Sequence, residues 1–328
     1  MTGTALVTGA GGFIGRHLVA RLLQEGLQVK AFVRRPPAVP WAADPRVDVV
    51  HGDLGDSVAV GRAVAGADIV FHVGATMRGD AAAFDRGTIA GTRHVIDSVL
   101  AHAVPKLVYL SSLSVLHSTP AGAGQVITEE WPLEPRPDAR GHYTRTKLAA
   151  EQLVVEAAHQ RGLHVVVVRP AEVIGAGATF LTAGVAQRIG RTLIILGDGE
   201  LPVPLVAVDD LIDALLTAAE VGPFDGTVVH VVDPEVITQN QMVARYQAAV
   251  GGVWRIVHVP RAVAAAAAAV AELAFAVAGR PAPLTRYRLA SALAVRRFDG
   301  ERARRLWGWR PRLGAGAALE RLAGSLAS

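Results

Sequence analysis

The sequence predicts an α/β fold: a doubly wound parallel sheet with helices on both faces, followed by a smaller C-terminal lobe. Three observations carry this expectation. Short β-branched apolar runs alternate with amphipathic helical segments over the first two-thirds of the chain. A glycine-rich turn joins the first run to the first helical segment. The alternation lapses after Arg169, where Pro and Gly punctuate the chain through Pro204. Such βαβ repetition implies right-handed crossovers and gathers ligands at the carboxyl ends of the strands.

The expected strands are Thr4–Thr8, Val29–Val33, Val47–His51, Ile69–His72, Lys106–Ser111 and His164–Arg169, with Thr227–Val232 apolar enough to rejoin the sheet. Helical patterns cover Arg16–Gln24, Ser57–Val64, Phe84–Ala101 and Tyr143–Gln160. Residues 1–172 and about 203–234 are assigned to the dinucleotide-type domain, and about 173–202 with 235–328 to the smaller lobe, where a substrate would bind. No repeat or low-complexity linker divides the chain.

Composition narrows the function. With 328 residues, 51% hydrophobic and 19% charged, the chain is globular and long enough for a large core. Its net charge of +4 is spread among 33 Lys and Arg and 29 Asp and Glu without a block of like charge, which argues against a nucleic-acid partner. The sequence contains 0 Cys, so thiolate chemistry and disulfides are ruled out. Met1–Gly15 reads as strand, turn and helix rather than as a secretory signal, and the expected location is the cytoplasm. The alanine-rich run Ala262–Ala278, interrupted by Glu272, is read as a helix packed on the core and not as an integral membrane span.

Thr8-Gly9-Ala10-Gly11-Gly12-Phe13-Ile14-Gly15 follows a strand and opens a helix, the context of a Rossmann dinucleotide fingerprint. Gly9 permits the tight turn, Gly12 lets the backbone approach a pyrophosphate, and Gly15 allows close helix packing, with Phe13 and Ile14 in the same contact segment. The pyrophosphate would rest on the helix N-terminus. After the second strand stand Arg34 and Arg35 with no carboxylate, which favours a 2′-phosphate and hence NADP(H), NAD(H) being possible; the alternative is that both are solvated loop charges. Asp53, followed by Leu54, is placed either to accept from an adenine amine or to cap a turn or helix.

Tyr143 and Lys147 stand four residues apart, on one face of a helix. A cation near a phenol lowers its pKa, so Lys147 would tune Tyr143 for proton exchange with a reacting oxygen. Ser112, at the carboxyl end of a strand, would hold that oxygen.

In this order the motifs resemble the extended short-chain dehydrogenase/reductase family, also called the NAD-dependent epimerase/dehydratase family. T-G-x-x-G-x-x-G falls at Thr8–Gly15, G-D-L at Gly52–Leu54, S-S-x-x-V at Ser111–Val115, Y-x-x-x-K at Tyr143–Lys147, R-P-x-x-V-x-G at Arg169–Gly175 and V-D-D-L at Val208–Leu211. The resemblance implies a catalytic set of Ser112, Tyr143 and Lys147, with Lys147 also on the nicotinamide ribose. It further implies Ala75 beside the adenine, Pro170 and Val173 near the nicotinamide, and a homodimer formed through the helices around Phe84–Ala101 and Tyr143–Gln160. The pieces Arg280–Thr285, Phe298-Asp299 and Leu306–Pro311 are also similar to the 3β-hydroxysteroid dehydrogenase-like branch.

Two departures matter. Thr88 stands where the family often carries Asn, and the segment Glu200–Asp209 lacks the Arg with which sugar-nucleotide members grip a diphosphate. The second favours an apolar ketone or secondary alcohol over a nucleotide sugar. The expected activity is therefore hydride transfer between a nicotinamide and a mostly apolar small molecule. The alternatives are a sugar-nucleotide epimerase or dehydratase and, less in keeping with the intact Ser112, Tyr143 and Lys147, a nucleotide-sensing protein without turnover. No metal is expected, His72 is read as a core residue, Asp209-Asp210 as the cap of a helix Leu211–Glu220, and Trp307 and Trp309 as core packing.

Overall fold

The computed structural model describes residues 3–35, 38–118, 125–182, 184–280, 282 and 284–327; Pro281 and Pro283 of the Arg280–Thr285 piece lie outside them. Seven parallel strands form the central sheet: β1 (Thr4–Thr8), β2 (Gln28–Val33), β3 (Val47–His51), β4 (Ile69–His72), β5 (Leu107–Leu110), β6 (Val165–Pro170) and β7 (Asp225–Val231). Their spatial order is β7-β6-β5-β4-β1-β2-β3, with the reversal between β1 and β4. That reversal opens the crevice where an open α/β sheet binds its ligand.

Side-chain alternation sorts the core into two layers. Ala5, Val7, Val166 and Val168 face one layer with α1 (Phe13–Gln24) and, near the C-terminal end, α5 (Val208–Val221). Leu6, Val165 and Val167 face the other, with α2 (Ser57–Val64), α3 (Gly91–Ala101) and α4 (His142–Arg161). Because both faces of the sheet are covered, its strands carry unbroken apolar runs.

A third cluster, including Phe180, Leu193, Ile195, Met242 and Leu319, forms the smaller lobe. It is built from strands Gln187–Ile189, Thr192–Leu196 and Arg255–Val259, with α6 (Gln239–Val250) and α10 (Ala315–Ala327). Between these come α7 (Arg261–Val277), α8 (Arg286–Ala292) and α9 (Glu301–Trp307). Trp307 and Trp309 are buried as expected, with α9 ending at Gly308 in the left-handed conformation.

Three expectations need correction. The helix predicted over Phe84–Ala101 is interrupted: Asp85–Ala90 winds as a π-turn between Ala81–Phe84 and α3. Gly87 and Gly91 there approach Thr76 and Leu54 so closely that an added Cβ would lie 2.1 and 2.7 Å from them. The alanine-rich helix α7 does not pack into the core; only Ala264 and Ala268 are buried, while Val270, Leu273 and Val277 are 68%, 69% and 84% exposed. Alanine forms helix by intrinsic propensity yet offers little area to bury. Among the described residues no helix is long and apolar enough to cross a membrane. Finally, α5 begins at Val208 and Asp210 is no cap of it: buried, it accepts the backbone N–H groups of Arg312, Leu313 and Gly314 at 2.8, 3.0 and 3.0 Å, tying the C-terminal segment to α5.

Candidate active site

The turn after β1 is shaped by close backbone approach. Gly9 has φ +67°, and a Cβ there would lie 2.6 Å from Gly74 Cα. A Cβ on Gly15 would lie 2.2 Å from the Gly9 carbonyl oxygen, so the packing that Gly15 permits is of α1 against the turn itself. Gly12 is exposed and caps α1 with no side chain on the first amides. A helix N-terminus with open amides and no Cβ in the way suits a pyrophosphate. Phe13 and Ile14 are half-buried, Phe13 lying edge-on to His17 at 5.4 Å.

Arg34 and Arg35 are exposed just past β2. Asp53 Oδ1 accepts the Gly55 N–H at 2.8 Å, a turn role that leaves its second oxygen without a protein partner among the described residues. Leu54 packs against Gly74 and Gly91. Ala75 and Val173 are half-buried at the ends of β4 and β6, and Pro170 is buried.

Ser112, Tyr143 and Lys147 converge where β5 ends and α4 begins. Ser112 Oγ accepts the Ser114 N–H at 3.1 Å, and its hydroxyl lies near enough to the Tyr143 phenol to favour the phenolate. Burial pushes the phenol pKa up, opposed only by that approach of Ser112. The expected lowering by Lys147 is thus not seen, because the ammonium is turned elsewhere. Lys147 Nζ donates to the Leu110 carbonyl at 2.5 Å and to Tyr109 Oη at 3.4 Å, and lies 4.7 Å from the Tyr109 ring centroid. Burial lowers Lys147 to about 8, against the attraction of Glu151.

Tyr109, which strand patterning could not mark as functional, belongs to a buried chain of polar groups crossing the sheet. Its hydroxyl meets Thr92, whose Oγ1 lies 3.0 Å from His72 Nε2; His72 Nδ1 is 2.7 Å from Thr8 Oγ1, which accepts the Gly74 N–H at 3.1 Å. Burial, with Lys147 nearby, holds His72 neutral, its pKa lowered to about 3. Hydrogen bonds thus join Thr8, His72 and Thr92, and Tyr109, beside Thr92, carries the contact on to Lys147. Thr88 stands apart from this chain, its Oγ1 accepting the Thr76 N–H at 3.0 Å.

A second unforeseen element lies one helical turn past Lys147. The buried Glu151 accepts from Arg169 Nη2 at 2.5 Å and Nε at 2.9 Å, and from Ser111 Oγ at 2.5 Å, locking α4 to the ends of β5 and β6. The spacing of four from Lys147 was the available signal.

On the substrate side, the helical turn Pro137–Arg140 just before Tyr143 packs against α8. Arg140 Nη1 donates to Glu134 Oε2 at 2.9 Å and to Ser118 Oγ at 2.8 Å, and Tyr287 donates to Glu134 from α8. Glu172, two residues beyond Pro170, accepts from Thr182 at 3.2 Å, and burial raises its pKa. A cavity of about 550 Å³ lies beyond the end of β7, lined in part by Pro202–Pro204, Val232–Val236 and Arg296–Gly300. Ser112, Tyr143 and Lys147 do not line it.

A glycine turn on a doubly wound sheet, with serine, tyrosine and lysine gathered at the carboxyl ends of its strands, defines an NAD(P)-dependent enzyme of the extended short-chain dehydrogenase/reductase type. The chain belongs to the NAD-dependent epimerase/dehydratase family, whose model matches residues 5–229. It is 32% identical over 338 residues to a 2-alkyl-3-oxoalkanoate reductase of Stenotrophomonas maltophilia (strain K279a), covering 98% of this chain and 99% of that protein. It is 28% identical over 229 residues to a 3-beta-hydroxysteroid dehydrogenase of Mycolicibacterium neoaurum, covering 66% of this chain and 61% of that protein. Among solved structures, that of gox2253 superposes with a TM-score of 0.82 at 24% identity over 97% of this chain and 96% of that one, a likeness of fold.

Proposed function

We propose that the protein is a ketoreductase preferring NADP(H), which moves a hydride between the nicotinamide and the carbonyl or carbinol carbon of a mostly apolar substrate. The observation that carries this reading is the approach of Ser112 to the Tyr143 phenol at the carboxyl ends of the strands, with the buried Lys147 on the same helix. In reduction, the bound nicotinamide supplies the hydride to carbon. Tyr143 gives its proton to the carbonyl oxygen, Ser112 orients that oxygen and favours the phenolate, and Lys147 supplies a buried cation for the nicotinamide ribose. In the reverse direction Tyr143 takes the proton back. Gly9, Gly12, Phe13, Ile14 and Gly15 hold the dinucleotide, Asp53, Leu54 and Ala75 line its adenosine, and Lys147, Pro170 and Val173 flank the nicotinamide ribose and ring.

The full-length relative's action on 2-alkyl-3-oxoalkanoates supports an oxo substrate with alkyl chains. The preference for NADP(H) rests on Arg34 and Arg35 at the end of β2. We further propose a cytoplasmic homodimer, α3 and α4 lying side by side as a pairing surface requires.

The test is consumption of NADPH and NADH in parallel, with 2-alkyl-3-oxo acids and apolar ketones against UDP- and dTDP-sugars. Stoichiometric loss of NADPH with an oxo compound is expected, and Arg34→Ala should weaken NADPH about tenfold or more while sparing NADH. Conversion of a sugar nucleotide without net NADPH loss would overturn the reading. Equal weakening of both nucleotides would remove the phosphate assignment.

A further inference from the structure

We infer that Arg296 is the recognition cation for an anionic group, a carboxylate, that the substrate carries next to its reacting carbonyl; the inference rests on the ketoreductase reading above. Arg296 lies in the segment linking α8 to the short strand Arg297–Phe298, which pairs with Val126–Ile127. Successive side chains in extended chain alternate in direction, and Arg297 is exposed while Arg296 is partly buried. Arg296 is close enough to Glu172 and Arg140 for both charges to act on it. In sequence, Glu172 stands two positions past Pro170 and Arg140 three before Tyr143. On its other side Arg296 forms part of the wall of the 550 Å³ cavity, among Pro202, Val203, Pro204 and Phe298.

The charges in this region are unequally satisfied. Arg140 is held by Glu134, whose second oxygen accepts from Tyr287. Arg296, by contrast, makes no hydrogen bond or ion pair among the described residues, and Glu172 Oε1 is buried without a hydrogen-bond partner. The Arg296 guanidinium, partly buried on the wall of the cavity and without a protein acceptor among the described residues, is open to an anionic ligand there. Burial lowers Arg296 to about 10, against the attraction of Glu172, so it remains a cation at neutral pH. A carboxylate fits this cation, accepting from the guanidinium. The apolar stretches of the cavity wall give a hydrocarbon chain a place beside that anchor.

The test is calorimetric titration of the NADP⁺-loaded protein with a 2-alkyl-3-hydroxyalkanoate and with its methyl ester. The acid should bind the wild type about ten- to a hundredfold more tightly than the ester. Arg296→Leu should abolish that difference, Arg296→Lys should keep part of it, and Arg297→Leu, the outward neighbour, should keep it whole. Equal binding of acid and ester by the wild type, or a preference surviving Arg296→Leu, would overturn the assignment. The wild-type comparison decides even if a variant fails to fold. Loss of the ketoreductase reading would show differently, as a wild type that turns over no oxo compound at all; failure of the Arg296 assignment leaves turnover intact and removes only the discrimination between acid and ester.

Discussion

Lys147 takes its position from Tyr109 and the Leu110 carbonyl rather than from the tyrosine four residues before it. The Y-x-x-x-K spacing made both residues legible in the sequence, since a helix brings such a pair to one face. It could not show which way the ammonium turns, because that depends on a strand neighbour, Tyr109, that reads as one more apolar position. The Thr92–His72–Thr8 chain behind it was hidden for the same reason: its members are single polar residues on separate strands and a helix, joined only by packing. Tyr109→Phe removes an acceptor from the charged form of Lys147, lowering the lysine further below about 8. The pH at which nucleotide binding weakens as Lys147 loses its charge should therefore fall by about 0.5–1 unit, the equivalent of one hydrogen bond. An unmoved pH dependence would mean that Tyr109 only fills space.

The elements themselves were largely readable. Strands buried on both faces carry runs such as Val165–Val168, and α1 starts directly after a glycine turn, so periodicity and punctuation located them. What escaped were features decided by tertiary contact: the π-turn at Asp85–Ala90, set by the approach of Gly87 and Gly91 to neighbouring chain, and the outward face of α7. The pairing of Glu151 with Arg169 belongs to the same class, joining an α4 residue to the end of β6. Glu151→Ala leaves the guanidinium of Arg169 buried without its carboxylate and should cost about 3–5 kcal/mol in urea unfolding. A loss below about 1 kcal/mol would show that water replaces the carboxylate there.

At the scale of the whole molecule, the doubly wound sheet with its crevice between β1 and β4 explains why residues far apart in sequence meet: Ser112 and Tyr143 come from neighbouring elements at one edge of that crevice, and the glycine turn from the other. The same burial makes stability depend on pH. His72 and His230 are both held neutral, with folded pKa values of about 3 against an unfolded value near 6.5. Between those limits the unfolded chain binds more protons, so their contribution is complete above about pH 6.5 and is lost as the pH falls, by about 1.4 kcal/mol per pH unit for each histidine. Urea midpoints taken from pH 7 to pH 4 should fall accordingly, and His230→Gln should flatten the slope; an identical slope in that variant would contradict the assignment. The central claim, net hydride transfer with Tyr143 as the proton donor, is tested most directly by following deuterium from 4-deuterated NADPH, using both hydride-face isomers, into an apolar oxo substrate. From one of the two isomers, one deuterium on the carbinol carbon for each NADPH oxidised is predicted, and from the other none, with Tyr143→Phe slowing transfer about 10²- to 10⁴-fold while still binding the nucleotide. A product formed without deuterium and without loss of NADPH, or undiminished transfer by Tyr143→Phe, would contradict it.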